Sequence, residues 1–206
     1  MANVFSPNGF TAVRRQDGAG WTANQKARLI AHANTNKFYS GDPVVQLSTG
    51  YIDCLGQGSA PAQGPVGIFV GCSYISTAQS RTVWSKTWQG ADSANDVTAY
   101  IIDDPNVVWQ VWVGTGSSSA AGGPAVLADI GKSCYWQLGT GSAATGISGA
   151  YIDYASMSTS SVTQAFTVYN LIQSPPGVNG TDITTAGNLI EVIFNQTAFR
   201  QGQTPV

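Results

Sequence analysis

The sequence predicts an all-β protein, an antiparallel β-barrel or sandwich of about ten to twelve short strands with little helix. Three observations predict it. Short runs rich in Val, Ile, Phe, Tyr and Trp recur along the whole chain. Clusters of Gly, Pro, Asn and Asp divide them roughly every dozen residues. The one stretch with helix-forming composition, Ala23 to Ala33, has only Leu29 and Ile30 as large apolar residues, too few for an amphipathic stripe, and Arg28 to Ala33 reads better as a strand.

The organising stretch is Val97 to Val113, VTAYIIDDPNVVWQVWV. Two β-branched and aromatic runs, Val97 to Ile102 and Val107 to Val113, flank Asp103-Asp104-Pro105-Asn106, which reads as strand, turn, strand. Alternation in the second run puts Val107, Trp109, Val111 and Val113 on one face and Val108, Gln110 and Trp112 on the other. Both faces carry a Trp. Such a strand wants cover on both sides, from a second sheet or from a neighbouring subunit.

The other elements follow in order. Residues 1–22 are polar, with Gly9, Gly18 and Gly20, and are read as an extended N-terminal arm; residues 23–206 are read as a single β-rich domain. Gly41-Asp42-Pro43 leads into Val44 to Leu47, and Ser48-Thr49-Gly50 turns the chain into Tyr51 to Leu55, a hairpin. Gly56 to Pro65 is loop. Val66 to Ser76 is the longest strand candidate, with Gly67 and Gly71 placed where a strand bends or another backbone approaches. Arg81 to Trp88, Cys134 to Leu138, Ala150 to Ser156, Ala165 to Ile172 and Leu189 to Asn195 complete the strands. Gly114 to Pro124, residues 139–146 and residues 175–180 are loops, and Val126 to Ile130 reads as a single helical turn.

Composition narrows the function. Of 206 residues only 10% are charged, with a formal net charge of −2, one Glu (Glu191) and one His (His32). No field draws in nucleic acid, and basic residues cluster only at Arg14 and Arg15. The opening MANVFSPNGF has no basic segment ahead of an apolar run, and no apolar window is long enough to span a bilayer, so neither a secretory signal nor a membrane partner is expected. Cys54, Cys72 and Cys134 read as small buried hydrophobes.

Catalytic patterns are equally sparse. Gly131-Lys132-Ser133 lacks the Gly a phosphate loop needs at position 126, where Val126 stands. A hydrolytic triad would depend on His32 alone, and one His with three scattered Cys makes no zinc site of ordinary spacing. Asp103 and Asp104 read as turn caps rather than calcium ligands. No enzyme, cofactor or metal is expected. Trp84, Trp88, Trp109, Trp112 and Trp136 read either as core and interface anchors or as a sugar-stacking platform.

The order of several short motifs completes the reading. Asn8-Gly9-Phe10 with Val13, Gly41-Asp42-Pro43-Val44, Gly64-Pro65-Val66-Gly67-Ile68-Phe69-Val70-Gly71 with Tyr74, then Trp88, Asp103-Asp104-Pro105 ahead of an apolar strand, and Val192-Ile193 together resemble the capsid decoration, or cement, proteins of tailed bacteriophages. The resemblance covers most of the chain. It implies a non-enzymatic virion protein, often a homotrimer, made in the host cytoplasm and bound to the major capsid protein on the outer surface of the head, where it bridges capsomers. It also implies that residues 41–44, 64–71 and 103–105 are structural signatures. Phe5, Phe10, Arg14, Arg15 and Trp21 of the arm, with Trp112, are the expected capsid or subunit contacts. The alternatives are another virion component, such as a head fibre or tail protein, and a carbohydrate-binding β-sandwich module that uses its Trp residues.

Overall fold

A computed structural model of the chain describes residues 3–21, 24–56, 64–115, 122–160, 163–173 and 180–199. The protein is all-β. The loops expected at 56–65, 114–124 and 175–180 lie mostly outside the described residues, as do positions 22–23 and the end of the chain from 200.

Fifteen strands are present among the described residues: β1 Thr11–Arg15, β2 Lys26–Ile30, β3 Phe38–Tyr39, β4 Pro43–Gln46, β5 Ile52–Asp53, β6 Gly67–Ser76, β7 Arg81–Ser85, β8 Thr87–Trp88, β9 Val97–Ile102, β10 Val107–Gly114, β11 Ser133–Cys134, β12 Trp136–Gln137, β13 Tyr151–Asp153, β14 Phe166–Leu171 and β15 Leu189–Phe194. Each expected strand is present at least in part, but the one expected at Arg28 to Ala33 runs Lys26–Ile30, the one expected at Ala150 to Ser156 is strand only over Tyr151–Asp153, and two more are broken. Lys86 interrupts the run from Arg81 to Trp88, and Tyr135 interrupts the run after Cys134. The helical turn read near Val126 is a single 3-10 turn, Leu127–Asp129, and a second follows β13 at Tyr154–Ser156.

A seven-stranded sheet runs β11-β14-β15-β10-β13-β12, with β1 also on β10; a six-stranded sheet runs β2-β9-β6-β4-β5, with β7 also on β6; β3 and β8 pair separately. Ladders are antiparallel except β10 with β13. One expectation is corrected at the centre. β9 and β10 have the expected boundaries but do not pair, because β9 lies in the six-stranded sheet and β10 in the seven-stranded one. The Asp-Asp-Pro-Asn turn is therefore a crossing between sheets. Asp104 caps it through the Asn106 N–H (2.9 Å), while Asp103 reaches sideways to Lys26 Nζ (3.0 Å) and so ties β2 to the crossing.

Two apolar clusters result. One is built on β10, β14 and β15 around Trp109, Trp136, Phe166 and Phe194. The other gathers Phe38, Phe69, Trp88 and Ile101 under the six-stranded sheet. Neighbouring residues alternate between them: Val45, Ile68 and Ile102 belong to the first cluster, Val44, Phe69 and Ile101 to the second. This end of the six-stranded sheet is thus buried on both faces.

The other face of β10 is covered by the chain itself. Trp112 is 7% exposed, with Phe5 edge-on at 6.2 Å, and Asn3 beside it holds Asp182 and Thr185 by hydrogen bonds. The Trp on that face needs no neighbouring subunit to bury it.

Candidate functional site

The N-terminal segment read as an arm is knitted into the body over residues 11–15, where β1 pairs with β10 through a bulge between Ala12 and Arg14. Its anchor lies just upstream. Gly9 (φ +77°) lets the chain turn against Ser148, whose Cβ would stand 2.6 Å from a Cβ at Gly9, and the Phe10 N–H then donates to the Gly41 carbonyl at 3.0 Å. Asp42 underpins the same node. Its carboxylate accepts from Ser148 Oγ (2.5 Å) and from the Tyr39 N–H (2.7 Å). Gly41 and Asp42 thus hold this node together.

The six expected contact residues separate into two groups. Phe10, 4% exposed and stacked on Phe166 at 4.6 Å, and Trp112 are packing residues with almost no surface to offer a partner. The polar sequence around Phe10 hides its role as a core plug. Phe5 is half-buried between Trp112 and Tyr151. Arg14 makes a two-pronged ion pair with Glu191 on β15, with Nη2 to Oε2 at 2.6 Å, and its guanidinium lies over Tyr169. Arg15 pairs with Asp104 and Asp17. Trp21 is half-buried against the first cluster.

Arg14 and Glu191 allow a direct test. Glu191 is 8% exposed at its side chain and Arg14 36%, so removing the guanidinium leaves a carboxylate that water reaches only in part. Arg14→Ala is expected to lose about 1–2 kcal/mol in urea unfolding, below the 3–5 of a fully buried pair, and Glu191→Gln in the same assay less than that.

A groove opens elsewhere, on the six-stranded sheet. One part, about 330 Å³, lies beside Trp84, Tyr100, Lys86, Gly71 and Cys72; the other, about 370 Å³, runs past Trp21 to Trp109. Gln25 and Val70 line both parts. Gly71 lies in the lining of the first part, at a bulge of β6 opposite Tyr100, and Trp84 pairs with Ser73 two residues further on. The two rings stack at 5.5 Å and 13°, and Trp84 remains 70% exposed. A Cβ at Gly71 would stand 2.9 Å from the Ser85 carbonyl.

In the second part the indole of Trp109, 1% exposed, has no hydrogen-bond partner for Nε1 among the described residues. Cys72 at the floor is pushed up to about 12 by burial and donates to the Thr87 carbonyl, so it is a thiol, not a nucleophilic thiolate. Among the described residues no group of three or more His, Cys, Asp and Glu side chains is placed to hold a metal. The arrangement is one of shape, aromatic faces and hydrogen bonds. The alternation of β10 placed Trp109 in the core, but the groove was not legible, because it depends on strands β1, β6, β7 and β9 meeting.

No family model, no curated protein and no solved structure matches this chain.

Proposed function

We propose that the chain is a non-enzymatic virion structural protein, a capsid decoration protein that binds the outer surface of a phage head as a homotrimer and bridges its capsomers. The observation that carries the proposal is the character of the surface. Nine of its twenty charged groups are occupied by each other: Arg14 with Glu191, Arg15 with Asp104, Lys26 and Arg28 with Asp103, and Lys132 with Asp129. Large apolar side chains stand out between them, among them Leu29, Ile75, Leu127, Ile147 and Phe199. Such a surface suits lasting contact with another protein better than electrostatic capture of a mobile one.

The motif order supports the specific partner, and the trimer follows from that resemblance. The gain to the head is one of mass action: a ligand that binds only the assembled lattice stabilises it, by about 2.7 kcal/mol per site at a hundredfold excess over Kd. The test is DNA retention. Heads of the parent phage lacking this protein are heated with and without it, and the protein's native mass is measured alongside. Retention to a higher temperature, saturating with added trimer, supports the proposal; an unchanged release temperature rejects it.

A further inference from the structure

We propose that the part of the groove beside Trp84 is a saccharide-binding site, with one sugar ring on the outer face of Trp84 and a carboxylated sugar favoured by Lys86. The proposal goes beyond the capsid reading and stands or falls separately from it. Three observations carry it. The indole of Trp84 is flat, exposed and already held parallel to Tyr100, so it offers a fixed apolar face to the C–H side of a pyranose with little rotamer freedom left to lose. Around it stand uncharged hydrogen-bonding side chains, Gln25 and Ser85 near Trp84 and Asn8 and Thr11 in the second part, as sugar hydroxyls require.

The third is charge. The described lining of both parts contains no carboxylate, and the one cation, Lys86, has no acidic side chain within ion-pair distance among the described residues. Each part lies near the lower end of ordinary ligand pockets. A peptide fits less well. β6, the floor, is already flanked by β9 on one edge and by β4 and β7 on the other, which leaves no open edge for an added strand.

The experiment is affinity electrophoresis of the intact protein in gels cast with polygalacturonate, with the neutral polymer hydroxyethyl cellulose, or with neither. The wild type is expected to be retarded most by polygalacturonate. Trp84→Ala is expected to bind about tenfold more weakly while its melting temperature falls by no more than about 6 °C, because the ring is exposed and only its stack on Tyr100 is lost. Lys86→Gln is expected to reduce retardation in polygalacturonate to that in the neutral gel. Absence of retardation in both polymers overturns the proposal, as does equal retardation of Trp84→Ala and wild type. Equal retardation of the wild type in both polymers overturns the preference assigned to Lys86.

Discussion

Trp109→Ala is expected to cost about 3–5 kcal/mol of folding stability, the range for removing a large aromatic side chain from a packed core. Trp109 sits in the middle of β10, between β1 and β15, with its ring edge-on to Phe194 at 5.8 Å. Loss of that ring leaves a cavity under the crossing that links the two sheets, and their strands hold the surroundings too firmly to collapse into it. For a chain of this length the loss corresponds to a fall of about 6–20 °C in melting temperature. Trp109→Phe is expected to lose much less, since it keeps most of the ring and removes an N–H without a partner. Exposed Trp84 is the control. Its truncation forfeits only the stack on Tyr100, at most about 1.5 kcal/mol. Calorimetry of the three variants checks the order, and a Trp84→Ala loss equal to that of Trp109→Ala contradicts the assignment of core and surface.

A second large effect is expected with pH. Burial pushes the Asp42 carboxyl up to about 6, against a pull downward from its hydrogen bonds with Ser148 and Tyr39. The buried Cys54 thiol beside it is pushed further up, first by burial and then by Asp42, and stays protonated. Between the ordinary carboxylate value of 3.8 and about 6, the folded protein binds a proton that the unfolded chain has released. The stabilisation is therefore complete below about pH 4 and is lost as pH rises through 6. Its size is roughly 3 kcal/mol. The hydrogen-bonded carboxylates Asp92 and Asp96 are held below their ordinary value, so they act in the opposite direction and at lower pH. Urea midpoints measured from pH 4 to 7 are expected to fall for the wild type and to stay nearly level for Asp42→Asn. The same slope in both proteins contradicts the role given to Asp42.

The strands were legible in the sequence where the residues themselves carry the signal. Val97 to Ile102 and Val107 to Val113 are apolar, branched and bounded by Asp and Pro, and they became β9 and β10. Their pairing was not legible, because a four-residue turn serves a hairpin or a crossing equally well, and the outcome is set by partners distant in sequence, β2 and β6 for β9 and β1 and β15 for β10. β1 was missed for a related reason. Its residues, TAVRR, are half-exposed and bulged, so no alternation shows, and only the partner strand β10 gives them their conformation. The aromatic residues divide in the same way. Alternation marked Trp109 as core, whereas the burial of Trp112 depends on Phe5 and the placement of Trp84 on its stack with Tyr100 across β6.

Co-sedimentation tests the central proposal most directly: purified protein is mixed with mature heads of the parent phage that lack it, and copies per head are counted at saturation. The proposal predicts saturable binding in a multiple set by the capsid lattice, delivered by a trimer. No binding, or a few copies confined to one vertex, would contradict it.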